Sequence, residues 1–321
     1  MKRTPSGLNL LVGIDKPCGM TSHDVVNKVR RALGERRVGH AGTLDPFASG
    51  ILVVGVGQAT RLMQYATSDF KSYTARISWG METLTDDLEG EVRCEAPVPE
   101  AVLDQEYATA ALERLSRQTE QVPPAFSAIK VDGVRAYSEA RKGHEVELAA
   151  RPIEVRQAEL LAMGVDERGP WWDVDFTVSK GTYIRALARD LGRMCKSAAY
   201  LSALSRTSSG KVDRSSCMSL SELEQTETLR VIDPVELLGF PVVQLDEQGV
   251  ADIKCGKKLS CARTDGGRAL ELPEGQTLCL VGQNRLFAIA TRSQKAIVAL
   301  CVFSDGVSRG DVVLENRKGL H

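Results

Sequence analysis

Apolar runs and alternating apolar positions predict four strands in the first two-thirds of the chain. Residues 10–14 (LLVGI) and 51–57 (ILVVGVG) are almost continuously apolar, which is typical of strands buried on both faces. Two other segments alternate strictly, so every second side chain lies on one face of a strand. The alternating residues are Tyr73, Ala75, Ile77 and Trp79 in the first segment and Trp172, Val174, Phe176 and Val178 in the second.

Helical spacing of apolar residues predicts two well-marked helices. The first follows the N-cap candidates Thr21 and Ser22 and ends at Gly34. The second follows SKGT (179–182), which is expected to cap it. Shorter helices are predicted over 59–66 and near 107–117. The apolar residues that mark the two main helices are Val25, Val26, Val29, Ala32 and Leu33, then Ile184, Leu187, Ala188 and Leu191.

Turn-rich segments separate these elements. GHAGTLDPFASG (39–50) has no periodicity and contains three glycines and a proline, so we expect a shaped loop. SAIKVDGVRAY (127–137) predicts a hairpin with an Asp-Gly turn. A domain boundary is expected near Pro234–Pro241, because the following tail has short strand patterns and Gly-rich turns. We read that tail as a small, separate β-rich domain.

The 321 residues, with 43% hydrophobic and 26% charged, fit a soluble two-domain enzyme. No apolar run approaches the roughly 20 residues that span a membrane, and no clear leader is visible, so a cytoplasmic protein is expected. The eight cysteines include no CxxC pair and there are only four histidines, so no metal site is predicted. Reduced, mostly buried thiols are expected instead.

The net charge of −1 hides a strong segregation of charge along the chain. Residues 28–37 hold five basic residues and one acid, whereas 82–104 holds eight acids and only Arg93. A local basic cluster can bind phosphates on a protein that is neutral overall. The alternative is that both segments are solvated faces.

Several residues could carry chemistry, and each also has a plain structural reading. Asp45 is a loop carboxylate that could act as nucleophile or acid/base, but Asp-Pro is also ordinary turn chemistry. Arg185 lies in the first turn of its helix against the helix dipole, which suggests a specific anionic partner. Arg189 and Arg193 continue its stripe and are read as solvated. Tyr73 is either a core residue or a platform that stacks on a base.

Several motifs of the chain together resemble those of a known family. GHAGTLDPFASG strongly resembles the catalytic motif of the TruB family of tRNA pseudouridine synthases, and the neighbouring motifs match in collinear order over roughly 10–235. The other matching segments are KPCGMTSHDVV (16–26), RRVGHAGTLDPFASGILVVGVGQATR (36–61), KSYTARISWG (71–80), QVPPAFSAIKVDGVRAY (121–137), SKGTYIRALARDLG (179–192) and LSALSRTSSG (201–210).

The resemblance implies a role for each matching residue. Asp45 matches the essential aspartate, Tyr73 the tyrosine that packs on the target base, and Tyr183 and Arg185 the active-site tyrosine and the arginine that pairs with the aspartate. Four further matches imply substrate binding: a histidine that supports the refolded T-loop, an apolar pocket residue and a lysine-proline pair, here His40, Leu204, Lys16 and Pro17. One departure is visible: Leu84 stands where the family's Thr-Asp-Thr has its aspartate, outside the inferred chemical core.

The implied fold is α+β: a pseudouridine synthase catalytic domain over 1–238, with a central mixed, largely antiparallel sheet flanked by helices and an RNA-clasping insertion at about 121–150. Residues 239–321 would form a PUA-like RNA-binding β-domain. The implied reaction converts the T-loop uridine of tRNA, position 55, to pseudouridine by flipping out the target nucleotide. It needs no cofactor. The expected partner is the tRNA T-arm, with phosphates bound by Arg30, Arg31, Arg36 and Arg37 on a monomeric protein.

Two other classes of function would use part of this pattern. A non-catalytic RNA-binding or RNA-folding module would use the basic cluster and the tail, but gives no reason for Asp45, Tyr183 and Arg185 together. A glycosyl hydrolase acting through Asp45 would usually need a second carboxylate, and none stands out in the matched motifs. Within the synthase reading, Asp45 either attacks covalently or removes the C2′ proton, and the residues leave both open.

Overall fold

The computed structural model describes residues 6–66, 70–127, 130–131, 134–135, 148–262 and 264–314. Its α-helices are α1 (Ser22–Leu33), α2 (Gln105–Ser116), α3 (Ile184–Met194), α4 (Leu220–Gln225), α5 (Pro234–Leu238) and α6 (Glu247–Lys254). Its strands are β1 (Leu10–Lys16), β2 (Val38–Ala41), β3 (Ser49–Val56), β4 (Phe70–Trp79), β5 (Met81–Thr83), β6 (Val92–Glu95), β7 (Glu120–Gln121), β8 (Lys130–Val131), β9 (Val134–Arg135), β10 (Arg151–Pro152), β11 (Val155–Asp166), β12 (Gly169–Ser179), β13 (Ala199–Ser209), β14 (Val212–Asp213), β15 (Cys217–Met218), β16 (Thr228–Leu229), β17 (Val242–Gln244), β18 (Leu259–Ser260), β19 (Thr277–Gly282), β20 (Arg285–Ser293), β21 (Ala296–Ser308) and β22 (Val312–Val313).

The chain forms two compact units, which are described separately. Unit 1 comprises residues 1–46, 50–68 and 209–321, and unit 2 comprises residues 47–49 and 69–208. The predicted domain boundary between 238 and 239 stays a prediction.

A mixed sheet in unit 1 is built around β1. Strand β1 runs antiparallel to β3 and parallel to β15, while β2 pairs with β3. Glycine is required at Gly13, because a Cβ there would lie 2.7 Å from the Cys217 sulfur and 2.9 Å from the Ser216 carbonyl.

The first three residues of the predicted 39–50 loop belong to a strand. They are part of β2, which pairs with β3, so the loop before β3 is shorter than expected.

Helix α1 forms as its sequence predicts. Thr21 is the N-cap, and its side chain and that of Asp24 make a reciprocal capping box. Gly34 ends the helix at a φ of 63°, a left-handed conformation that favours glycine. The spaced apolar side chains, Val25, Val26, Val29 and Leu33, are buried in one core cluster with β1 and β3.

Unit 1 also contains a five-stranded sheet, in the order β17-β19-β20-β21-β18. Strand β17 is parallel to β19 and the other pairs are antiparallel. The β-rich tail is therefore confirmed, and its PUA-like character stays a prediction. Arg61 ties this sheet to the 3₁₀-helix Gly57–Leu62, which forms where the short 59–66 helix was predicted: its Nη1 donates to the Val302 carbonyl at 2.6 Å, and its guanidinium lies over the Phe303 ring.

Unit 2 is built on strands in the order β11-β12-β4-β13, with antiparallel pairs β11–β12 and β12–β4. The predicted alternation in β4 and β12 is confirmed, because the apolar residues of both strands are buried. Trp79 and Trp172 meet edge to face at 4.7 Å between ring centroids, and the Trp172 indole donates to the Val102 carbonyl. Sheets and helices together confirm the α+β class.

Two sequence expectations on connecting segments need comment. The hairpin is present as β8 paired antiparallel with β9, while its turn residues Asp132 and Gly133 and most of the 121–150 insertion lie outside the described residues. The expectation that SKGT caps helix α3 is wrong. The N-cap residue is Tyr183, and its side chain makes no capping hydrogen bond.

Five of the eight cysteines are buried and all eight are free thiols, as expected. Within the described ranges, no helix is both long enough and apolar enough to span a membrane.

Candidate active site

The loop that carries Asp45 is held by the buried side chain of Lys16. Lys16 ends β1 with no exposed surface, and its Nζ donates to the carbonyls of Pro17 at 3.0 Å, Met20 at 2.6 Å and Pro46 at 3.3 Å. A buried ammonium is stable only when hydrogen bonds replace its water, and these carbonyls do so. Lys16 therefore links the turn after β1 to the residue that follows Asp45.

The start of helix α1 holds the other side of the same loop. The buried Ser22 hydroxyl donates to the Leu44 carbonyl at 3.0 Å and accepts from the Leu44 amide at 2.9 Å. The Gly19 amide donates to the Pro46 carbonyl at 2.8 Å. Gly42 begins the loop at a φ of 78°, where a glycine is needed. The half-buried Asp45 thus lies between Leu44 and Pro46, whose backbones are both held by hydrogen bonds.

His40 lies in β2 and pairs in register with Val54 of β3. Its side chain is half-buried. The histidine, five residues before Asp45, is thus on a strand and not in the loop expected for residues 39–50. Pro17 is exposed at the turn that Lys16 holds.

In unit 2, Tyr73 lies on the buried face of β4 and is only 9% exposed. Its register partner in β12 is Phe176. Leu204, 8% exposed, lies in β13, the neighbouring strand on the other side of β4. Both residues predicted to line the base pocket are thus on the central strands of this unit.

Tyr183 is positioned through its backbone by Gln121. The Tyr183 amide donates to the Gln121 Oε1 at 2.9 Å, and the Gln121 Nε2 donates to the Tyr183 carbonyl at 3.1 Å. Gln121 is 2% exposed and belongs to the short strand β7, which pairs with β10. This amide satisfies one of the free N–H groups at the start of α3, so it replaces the side-chain cap that the SKGT segment does not provide.

Arg185 is buried and is held by two segments of unit 2. Its Nη1 donates to the Thr85 carbonyl at 2.7 Å and lies 3.3 Å from the Asp87 carboxylate. Its Nη2 donates to the Phe126 carbonyl at 3.2 Å. The prediction that the placement of Arg185 requires an anionic partner is therefore confirmed by Asp87. The predicted contact with Asp45 concerns residues of different units and stays a prediction.

The arginine stripe on α3 is a ladder of ion pairs, which corrects the prediction that Arg189 and Arg193 are solvated. Each arginine meets a buried carboxylate of the acidic segment, which folds back onto the helix. A buried carboxylate without a cationic partner would strongly destabilise the fold, so the acidic segment can be buried here only because the arginines of α3 pair with it. The pairs are Arg185–Asp87 at 3.3 Å, Arg189–Asp86 at 2.8 Å and Arg193–Glu82 at 2.6 Å.

Within this ladder, the Asp86 carboxyl has a raised pKa. Its burial raises its pKa to about 6, although Arg189, Arg185 and Arg193 act in the opposite direction. Desolvation disfavours the charged form of an acid, and this effect outweighs the neighbouring cations.

Sequence reasoning missed Gln121, Ser22 and the acids of the ladder. The acidic segment 82–104 stands out in the sequence, but the helix that pairs with it does not. A signal existed: arginines at i, i+4 and i+8 on one helix and a segment of excess carboxylates elsewhere in the chain are complementary in charge.

The basic cluster of residues 28–37 divides into two kinds of arginine. Arg30 is half-buried, and its guanidinium donates to the Asn27 side chain at 2.9 Å and the Val38 carbonyl at 3.0 Å. Arg31, Arg36 and Arg37 have exposed side chains. Three of the four predicted phosphate ligands are thus accessible, while Arg30 braces the segment between α1 and β2.

Comparison with known proteins identifies the family. Residues 30–184 match the model described as TruB family pseudouridylate synthase (N terminal domain). The tRNA pseudouridine synthase B of Arthrobacter sp. (strain FB24) is 41% identical over 289 residues, which cover 85% of this chain and 92% of that protein. The protein of the same name from Mycobacteroides abscessus is 43% identical over 273 residues, covering 84% and 91%.

This chain belongs to the TruB family of pseudouridylate synthases.

Two solved structures share the TruB fold of this chain. An H/ACA ribonucleoprotein bound to a substrate RNA containing 2′-deoxyuridine has a TM-score of 0.63 at 21% identity, with 97% of this chain and 86% of that chain covered. A Cbf5-Nop10-Gar1 complex has a TM-score of 0.65 at 23% identity, covering 93% and 84%. At these identities the likeness establishes the fold.

The departure from the TruB family pattern lies in the loop that holds Arg185. Leu84 itself is exposed, but the carbonyl of the next residue, Thr85, accepts from Arg185. Thr83 and Thr85 remain, and their hydroxyls donate to the Asp87 carbonyl and carboxylate, both at 2.6 Å. The loop therefore contacts Arg185 directly, which the sequence alone did not indicate.

Proposed function

We propose that this chain is a tRNA pseudouridine synthase that converts the T-loop uridine at position 55 to pseudouridine, with Asp45 as the catalytic carboxylate. The observation that carries the proposal is the half-buried Asp45 between the clamped residues Leu44 and Pro46. Identity of 41–43% over most of the chain to proteins named tRNA pseudouridine synthase B supports the reaction class.

The reaction is an isomerisation whose atoms balance without any added reagent. The bond between sugar C1′ and base N1 breaks, the uracil turns, and a bond forms between C1′ and C5. C5 loses its proton and N1 ends protonated. Asp45 acts either by covalent attack on the sugar or base or by removing the C2′ proton, and both routes need one ionised carboxylate close to the nucleoside.

The base must stay in place while it turns, because a departed uracil ends the reaction. Tyr73 and Leu204 supply apolar surfaces for this, and Tyr183 and Arg185 are the proposed groups beside Asp45. A uridine within a folded T-loop cannot reach a half-buried carboxylate, so the nucleotide is flipped out. His40, fixed on β2, supports the RNA that is left behind.

Lys16 contributes through the loop backbone, because it is fully buried and bonded to carbonyls on both sides of the turn. Pro17, exposed beside it, is available to the RNA. Arg31, Arg36 and Arg37 are proposed to bind phosphates, together with the 121–150 insertion and the C-terminal sheet, read as a PUA-like domain over 239–321. Cytoplasmic location and a monomeric state remain predictions.

The test is to map pseudouridine in a T-arm stem-loop transcript treated with wild-type protein, Asp45→Asn and Asp45→Glu. The proposal expects modification at the single T-loop uridine by wild type and none by Asp45→Asn, which retains binding of the transcript. Free uracil is measured in the same reaction. Release of uracil without pseudouridine would instead support the glycosyl hydrolase reading, and turnover by Asp45→Asn would remove Asp45 from the mechanism.

A further inference from the structure

We propose that Asp86 and Arg189 form a positioning pair for Arg185: the pair fixes two backbone segments whose carbonyls hold the Arg185 guanidinium. The inference rests on the proposed function for its effect on catalysis. It assigns a task to two residues to which the family resemblance gave no role.

Arg189 and Arg185 bridge the same two segments of unit 2. Arg185 donates to the carbonyl of Thr85, in the acidic segment 82–104, and to the carbonyl of Phe126, in the segment after β7. One turn further along α3, Arg189 Nη1 donates to the Asp86 carboxylate and Nη2 donates to the Val122 carbonyl, both at 2.8 Å. The distance between the two segments is therefore set twice, and Arg189 sets it independently of Arg185.

The segment around Asp86 needs such a brace because the backbone conformation of Asp86 is uncommon. Asp86 has a φ of 59°, in the left-handed region that residues with a side chain rarely adopt. Such a conformation persists only where its surroundings hold it. The Asp86 carbonyl accepts from the Leu201 amide at 3.1 Å and its carboxylate pairs with Arg189, so the residue is fixed at both ends. Its neighbours Thr85 and Asp87 are the residues that contact Arg185.

The third rung of the ladder offers a matched control. Arg193 donates twice to Glu82, at 2.7 and 2.6 Å, and Glu82 is as buried as Asp86. The Arg193 side chain is half exposed, and Glu82 lies in β5, ahead of the loop residues that contact Arg185. Loss of this rung removes an ion pair whose carboxylate is equally buried, without releasing the Asp86 backbone.

The protonation of Asp86 supplies a readout that a purely structural role would not move. Burial raises the Asp86 pKa to about 6. The charged groups acting on it are Arg189, Arg185 and Arg193 on α3 and Glu82 on β5. Asp190 shares Arg189 with it, and Asp87 pairs with Arg185. As pH falls through 6, Asp86 becomes neutral and its charge-assisted bond to Arg189 weakens. Arg185 should then lose its fixed position while the protein remains folded.

The experiment compares Asp86→Asn, Arg189→Lys and the control Glu82→Gln in steady-state reactions on the T-arm stem-loop between pH 5 and 8. Asp86→Asn should lower kcat about tenfold or more, with KM changed less than about twofold, because misplacement of a reacting group affects the chemical step. Wild type should lose kcat with a midpoint near pH 6 and Asp86→Asn should not. Glu82→Gln should lower the Tm while leaving kcat within about twofold.

A wild-type kcat in folded Asp86→Asn, or an equal loss of kcat in Glu82→Gln, overturns the proposal. If Asp86→Asn does not fold, Arg189→Lys decides the matter, since lysine keeps the charge but cannot reach both Asp86 and Val122 with a planar fork. A lowered kcat at unchanged KM supports positioning, and an unchanged kcat overturns it.

A second readout does not depend on activity. The ¹⁵N NMR signal of the Arg185 side-chain Nε, assigned with Arg185→Lys, should shift with a midpoint near pH 6 in wild type and lose that transition in Asp86→Asn. Absence of T-loop pseudouridine in wild type together with this transition would defeat the proposed function and leave the positioning pair standing. A signal that is the same in both proteins would defeat the pair.

Discussion

The ammonium nitrogen of Lys16 lies 3.3 Å from the carbonyl oxygen of Pro46, the residue that follows Asp45. Two segments that are 30 residues apart in sequence are joined by one fully buried cation. The position of the candidate catalytic carboxylate is therefore decided partly by the turn that ends β1.

Replacing Lys16 by Met should lower both stability and activity. Methionine fills similar volume but leaves the Pro17, Met20 and Pro46 carbonyls without this donor, at a cost of about 1–3 kcal/mol for each buried group that stays unsatisfied. We expect the free energy of unfolding in urea to fall by about 2–4 kcal/mol and kcat to fall at temperatures where the variant is folded. The exposed Lys258→Met is the control, and an equally stable, fully active Lys16→Met would contradict the clamp.

Replacing Gln121 by Ala should release the start of α3. Two hydrogen bonds to the Tyr183 backbone are lost, and an unsatisfied buried amide costs about 1–3 kcal/mol. We expect a lower Tm and a reduced kcat, because Tyr183 and Arg185 both lie at this helix start and depend on it for their positions. Gln157→Ala, which removes an exposed bond to Glu159 on β11, serves as control. Equal kinetic effects in the two variants would show that Gln121 has no special role at Tyr183.

The basic cluster should divide in a salt titration. Arg36→Ala should weaken binding of a T-arm stem-loop and flatten the slope of log K against log salt by roughly one, because a phosphate contact releases counterions. Arg30→Ala should leave the slope unchanged and lower the Tm, because Arg30 bonds Asn27 and Val38 within the protein. A flattened slope in Arg30→Ala and none in Arg36→Ala would reverse the assignment.

Stability should depend on pH through Asp86. Its pKa is about 6 in the folded protein against an ordinary value of 3.8 for an aspartate, so the folded state holds the proton more tightly between these values. The unfolding free energy contributed by this group therefore falls as pH rises through that window. Relative to Asp86→Asn, wild type should gain about 1–2 kcal/mol between pH 7.5 and pH 5 in urea titrations. A difference independent of pH would show that Asp86 does not titrate there.

Local order was readable from the sequence wherever one segment carries its own signal. Helix α1 has its capping residue, its apolar stripe and its terminal Gly34 within 14 residues, and all three act as predicted. The strands β4 and β12 show their buried faces by alternation alone. Asp45, Tyr73, Tyr183 and Arg185 were predicted as site residues because they stand in recognisable motifs, and the family that those motifs indicated is the one the comparisons established.

Tertiary structure decided the partners of these residues, because a partner distant in sequence leaves no periodic mark. Gln121 reaches Tyr183 across 62 positions, and Arg189 reaches Asp86 across 103. The sequence showed acids in one segment and arginines on one helix, and hence a charge that burial would have to neutralise. Only the folded chain selects which carboxylate meets which arginine, since that choice depends on backbone positions, such as the left-handed Asp86, that neighbouring residues along the chain do not determine.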